Sequence, residues 1–192
     1  MEKYLYLTKP EWADAWVNGG QVPFYKASKY KSEERRGVNT PDENLIDSST
    51  VDIQSLAPNM VFSPGSVLKN CVFVNNTIDG RSYKYMRINR FIEDGLVVCL
   101  SNKRSMLIAR RLEKKACVKI KDVNELMRII NDQIGVEGVM GPCKYTINHE
   151  RNHFLKSTKD AWQREYRMFW PEVGDTNILL PPGVAELEFT MP

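Results

Sequence analysis

The stretch DAWQREYRMFW, residues 160–170, decides how this chain is read. It crowds aromatics around an amide, a carboxylate and two arginines, and Pro171 stops it. The apolar density from Trp162 to Trp170 predicts a strand. Side chains two apart on a strand point the same way. Gln163, Glu165, Arg167 and Phe169 therefore share one face, and Trp162, Arg164, Tyr166, Met168 and Trp170 the other. The second face, richer in large apolar groups, is the candidate core. The first presents an amide and a carboxylate about 7 Å apart. A glutamate facing a pocket can hold a sugar hydroxyl and favour positive charge developing on a reacting carbon. A glutamine beside it can orient a nucleophile through its donors and its acceptor. The same face also fits a plain sheet surface on which Glu165 and Arg167 satisfy each other.

Working outward, KYLYLT (3–8) reads as a strand with Tyr4, Tyr6 and Thr8 on one face. PEWADAWV reads as a helix with Pro10 in its first turn and Gly19-Gly20 ending it. QVPFYKAS is an edge strand, because Pro23 lacks a ladder donor. Residues 29–50 are polar with scattered breakers and read as a long surface loop, a candidate cover over a site. NCVFVNNT and RSYKYMRINRFI read as strands. LVVCLS, after Gly95, is the strongest strand signal in the chain. SNKRSMLIARRLEKKA predicts a helix capped near Ser101 or Asn102, and DVNELMRIINDQI a helix with an Asp122 cap and Glu125 three residues on. CVKIKD and GPCKYTIN read as strands, HERNHFLKSTKDAW as a linker or short helix, and NILL and VAELEF as closing strands around PPG. Strands outnumber helices. The class is α+β: one domain over 1–192, a mostly antiparallel β-sheet core with packed helices.

The bulk numbers fit this. Over 192 residues, 42% hydrophobic and 27% charged composition supports a core and excludes wholesale disorder. A net charge of +3 allows an anionic partner without demanding one. The four cysteines, at 71, 99, 117 and 143, include no CxxC and read as reduced, buried thiols of a cytoplasmic protein. His149 and His153 stand alone in NHERNH, so no metal site is expected. No apolar run approaches the roughly 20 residues of a membrane span, and MEKYLYLTKPEW lacks the shape of a signal peptide.

Three pieces in order carry a resemblance: YLYLT with a helix behind it, LVVCLS ending in Ser101, and FLKSTKDAWQREYRMF with its Gln-x-Glu. This arrangement resembles the ADP-ribosyltransferases, above all the bacterial nucleic-acid-directed toxins of toxin–antitoxin phage-defence systems. Those enzymes carry an early strand with an Arg, His or Tyr that holds the cofactor. A middle strand ends in Ser or Thr, and a late strand bears the glutamate. The chain departs from the pattern in having tyrosines in place of Arg or His, a lone serine, and Gln163 where many relatives have Glu.

The resemblance implies a split, mostly antiparallel sheet and NAD as co-substrate, with no metal. It casts Glu165 as the catalytic carboxylate on the ribose and Gln163 as the group that orients the acceptor. Tyr4, Tyr6, Thr8, Phe24, Tyr25 and Ser101 become cofactor-binding candidates. Lys156 and Arg167 flank the motif as partners for pyrophosphate or the target. Glutamine in the late pair goes with acceptors other than protein arginine. Basic residues, among them Lys31, Arg35, Arg36 and Arg87, alternate with Tyr30, Tyr83 and Tyr85 in a pattern suited to single-stranded nucleic acid. The implied function is transfer of ADP-ribose from NAD to a nucleobase, restrained by a separate antitoxin or chaperone protein. The alternatives are transfer to a protein side chain and a non-catalytic RNA-binding module. Oligomeric state is not legible.

Overall fold

A computed structural model describes residues 2–31, 45–47, 68–78, 80–148 and 150–192. Along the chain run β1 (Lys3–Leu7), a 3-10 turn (Pro10–Trp12), α1 (Ala13–Val17), β2 (Gly20–Phe24) and a second 3-10 turn (Ala27–Lys31). Next come β3 (Leu45–Asp47), β4 (Leu68–Ile78), β5 (Arg81–Ile92), β6 (Gly95–Ser101), α2 (Met106–Arg111), β7 (Ala116–Ile120) and α3 (Val123–Ile134). The chain ends with β8 (Val139–Pro142), β9 (Lys144–Thr146), β10 (Leu155–Ser157), a 3-10 helix (Thr158–Gln163), β11 (Glu165–Pro171), β12 (Thr176–Leu180) and β13 (Ala185–Thr190).

Six strands form the main sheet in the order β13-β7-β1-β6-β11-β8. Every pairing in it is antiparallel. Smaller sheets are β3-β5-β4, β12-β2 and the parallel pair β10-β9. The class is α+β with a mostly antiparallel sheet. No described helix is long and apolar enough to cross a membrane.

One face of the main sheet buries Leu96, Val98 and Leu100 of β6 beside Tyr166, Met168 and Trp170 of β11. Trp16 of α1 and Leu126, Met127 and Ile130 of α3 cover them. Burying each such side chain contributes about 1.5–3 kcal/mol. The buried Trp170 indole donates to Asn131 Oδ1 of α3 at 2.6 Å, so its N–H is not left without a partner. The alternation expected within 165–170 therefore holds, with Glu165, Arg167 and Phe169 on the opposite face. α3 is capped as expected at its start, where Asp122 accepts from the Asn124 N–H at 3.0 Å. Gly135 takes the left-handed conformation (φ 69°) that ends it.

Several expectations are corrected. The strand does not begin at Trp162: residues 158–163 are a 3-10 helix, and Arg164 turns the chain at φ 50° before Glu165 opens β11. α2 is capped by Ser105, whose Oγ accepts from Ile108 N, because Ser101 is still inside β6. GPCKYTIN is split at Cys143 into β8 and β9, and the expected linker after it contains β10. Cys99 is exposed, unlike the buried Cys117 and Cys143. Within the expected 29–50 loop, residues 29–31 belong to a 3-10 turn and Leu45–Asp47 pair with β5. The remainder of that loop lies outside the described residues.

One departure from regular pairing matters most. β1 lies between β6 and β7 but pairs with β6 only at Tyr4↔Ser101, whereas all five of its residues pair with β7. Beyond Tyr4 the facing edges of β1 and β6 diverge, and a cavity occupies the gap.

Candidate functional site

The cavity has a volume of about 690 Å³, within the range of small-molecule sites. Its walls come from Leu5–Thr8 of the β1 end, Val97–Ser101 of β6, the α1 region, β2, and the Gln163–Glu165 corner. Residues from both faces of the sheet line it, as expected where the sheet itself has parted.

Beside it three strands meet in one row. Tyr4 is the register partner of Ser101, and Ser101 of Glu165. The three sequence pieces, far apart in the chain, thus become neighbours across β1, β6 and β11. Directly opposed residues of antiparallel strands share a face, so Tyr4, Ser101 and Glu165 project to the same side.

Glu165 is 6% exposed and tightly held. Its Oε2 accepts from Lys156 Nζ at 2.6 Å and its Oε1 from Arg167 Nε at 2.8 Å. Arg167 Nη2 adds a bond to Oε2 at 3.3 Å. Burial alone would raise the carboxyl pKa, but the Arg167 and Lys156 charges more than offset that and hold it well below the usual range. Lys156 Nζ also donates to Gln163 Oε1 at 3.0 Å, and Gln163 Nε2 donates to Asp160 Oδ1 at 3.3 Å. All five side chains are buried. Two cations and two carboxylates are thereby gathered into a neutral cluster, the arrangement burial of charge requires.

The backbone around the cluster is fixed as well. The Glu165 N–H donates to Tyr145 Oη at 2.9 Å, and the Asn102 N–H to Arg164 O at 2.7 Å. Ser101 Oγ donates to Gln163 O at 2.9 Å and accepts from Lys103 N at 3.2 Å. Ser101 thus braces the Gln163–Glu165 corner through its backbone.

Of the expected residues, Tyr6, Thr8, Phe24, Tyr25, Ser101, Gln163 and Glu165 line the cavity. Tyr6 does so with its ring, because its hydroxyl donates to Lys103 O and accepts from Ser105 N. Tyr4 stands in the row but not among the lining residues. Gln163 does not reach Glu165 by strand alternation; the 3-10 helix and the Arg164 turn place it, with Lys156 as the bridge. Lys156 and Arg167 are corrected. Both are buried against Glu165 and do not stand as outward grips for a phosphate. Lys31 ends the second 3-10 turn. Arg87 is on β5 opposite Val72, in the three-stranded sheet, and Arg35 and Arg36 lie outside the described residues.

The cavity also takes residues that sequence reasoning did not select, Trp12, Gln21, Cys99 and Lys114, and Tyr30, which was read as a base-stacking aromatic. Trp16 is core, but Trp12 is 49% exposed and lines the cavity wall. The exposed polar face of the short α1 region carried that signal in the neighbouring Glu11 and Asp14. Among the described residues no group of three His, Cys, Asp or Glu side chains is placed to hold a metal ion. Comparison of the chain with protein-family models, with curated proteins and with solved structures gives no match.

Proposed function

We propose that this chain is an NAD-dependent mono-ADP-ribosyltransferase whose acceptor is a nucleobase of single-stranded nucleic acid. The observation that carries the reading is the row Tyr4–Ser101–Glu165, assembled from the three motif strands beside a nucleotide-sized cavity. The residues present suit NAD. Tyr25 and Phe24 offer aromatic surface for a planar ring, and Glu165 offers a carboxylate that Arg167 and Lys156 hold ionised at neutral pH for a ribose hydroxyl. NAD brings a ribose already bonded to a good leaving group, so the protein's share is positioning and electrostatics.

In that reaction a lone pair of the acceptor base forms a bond to ribose C1′. The C1′–nicotinamide bond breaks, its electron pair goes to the nicotinamide nitrogen, and the acceptor's proton passes to solvent. Glu165 orients the ribose and opposes the positive charge developing at C1′. Gln163 holds the acceptor edge. Arg167 keeps Glu165 fixed and ionised, and Lys156, on its flexible stem, is the partner that yields its bond when a hydroxyl arrives. The nucleic-acid acceptor is supported by the β4–β5 hairpin. The sequence of β5 spaces Arg81, Tyr83, Tyr85 and Arg87 two residues apart, a pattern of cations and aromatics suited to phosphates and stacked bases.

One observation favours a second reading. Glu165 has both oxygens bonded to cations, which is also how a purely structural glutamate is held. A non-catalytic RNA-binding module would need nothing more of it. Nicotinamide release from NAD separates the two. The purified protein is assayed with mixed single-stranded RNA and DNA, beside a Lys156→Met/Glu165→Gln double variant that preserves the charge balance of the cluster. Release that depends on nucleic acid and vanishes in the folded double variant supports the transferase. No release under any condition from folded wild-type protein overturns it and leaves the binding module.

A further inference from the structure

Among the described residues that line the cavity, Lys114 is the one lysine or arginine, and its placement is not incidental. The turn after α2 puts Glu113 at φ 56°, a left-handed conformation uncommon for a residue with a side chain. The Lys114 N–H then closes back on Ala109 O at 2.8 Å, and the next residue's N–H docks on Leu7 O of β1 at 2.8 Å. The lysine is therefore pinned from both sides against the β1 end. Its Nζ donates to Thr8 Oγ1 at 2.9 Å. Among the described residues the ammonium meets no carboxylate within ion-pair distance; Cys99 and, less strongly, Glu113 act on it without a direct bond. Burial accordingly lowers its pKa.

A half-buried ammonium held on a hydroxyl, facing a cavity and lacking a carboxylate, keeps two donor positions for an anion. Phosphate oxygens are the anions that a nucleotide brings, and Lys156 and Arg167 are already spent on Glu165. We infer that Lys114, seated on Thr8, is the phosphate-binding group of this cavity, and that the ligand it selects is a nucleoside diphosphate moiety. The inference rests on the transferase reading for the cavity it concerns, not for the reaction. Three carboxylates, Glu11, Asp14 and Glu165, also line the cavity. Among the described lining residues, Lys114 is the one cation that can draw a diphosphate into this cavity.

The test is calorimetric titration of the full chain with ADP and with adenosine, for wild type, Lys114→Met and a Lys103→Met control. The expected result is that wild type and the control bind ADP at least tenfold more tightly than adenosine, and that Lys114→Met loses that preference while binding adenosine unchanged. Thr8→Val should lose a smaller part of it. Equal ADP affinity in Lys114→Met overturns the inference, and so does the absence of ADP binding to wild type. A preference transferred wholly to a single-stranded oligonucleotide, with ADP failing to compete, also overturns it and reassigns the lysine to a strand phosphate. ADP binding through Lys114 without any nicotinamide release leaves the phosphate site standing and removes the transferase.

Discussion

Replacing Glu165 by glutamine removes one charge from a buried, balanced set. In the wild type Lys156 and Arg167 face Glu165 directly, and Asp160 completes the balance through Gln163. Glu165→Gln keeps shape and volume but leaves two buried cations against one carboxylate. Stripping one partner from a buried ion pair costs about 3–5 kcal/mol, a large share of the roughly 5–15 kcal/mol that holds a domain folded. Lys156→Met alone should cost less, because Glu165 keeps Arg167 at 2.8 Å. The double variant restores neutrality, so it should be more stable than the sum of the singles by at least about 2 kcal/mol. Urea unfolding of the four proteins at neutral pH measures this. The pH dependence gives a second reading. A carboxylate with a depressed native pKa contributes its full stability above its ordinary value of 4.5, and loses it as pH falls towards the native value. The gap between wild type and Glu165→Gln should therefore narrow on going from about pH 5 to pH 3. A Glu165→Gln protein within about 1 kcal/mol of wild type, or a strictly additive cycle, would refute the view that Glu165 anchors a buried charge cluster.

Two further perturbations test the frame around the cluster. His153 is stacked on Phe169 with ring centroids 3.7 Å apart, and burial, helped by the Arg167 charge, lowers its pKa from 6.5 to about 4. The unfolded chain binds the extra proton over that interval, so stability should fall by up to about 3 kcal/mol as pH drops through it. His153→Leu should flatten that slope in urea midpoints between pH 7 and pH 5; an unchanged slope would assign it elsewhere. Asn131→Leu should leave the Trp170 indole N–H and the Gly138 N–H without their acceptor, at a cost of about 1–3 kcal/mol. A variant as stable as wild type by thermal melting would show that the sheet–α3 junction does not depend on that amide.

Where periodicity alone fixes a conformation, the sequence was legible. β1, β6, α3 and the Tyr166/Met168/Trp170 core face follow directly from alternation and capping. Reading failed where a long-range partner overrides the local pattern. Gln163 looks like strand, yet Asp160, Lys156 and the Ser101 hydroxyl hold its segment as a 3-10 helix. Lys156 sits in a polar run and gives no hint that it is 4% exposed; its burial depends on Glu165, nine positions away on another strand. Lys114 is hidden among neighbouring lysines, and only the Glu113 turn singles it out. The site row was foreseen as three pieces in order, but their alignment is a property of strand order, which sequence spacing does not encode.

That strand order has a consequence for the newly made chain. β1 is made before its sheet neighbours β6 and β7, which follow about a hundred residues later. Glu165 enters the row later still, on β11, and β13 (Ala185–Thr190) forms the sheet edge beside β7. A nascent or truncated chain ending before residue 160 carries Lys156 but lacks Glu165, Gln163 and Arg167. The row of Tyr4, Ser101 and Glu165 forms only once β11 has been made, so a fragment that stops before residue 165 cannot assemble it.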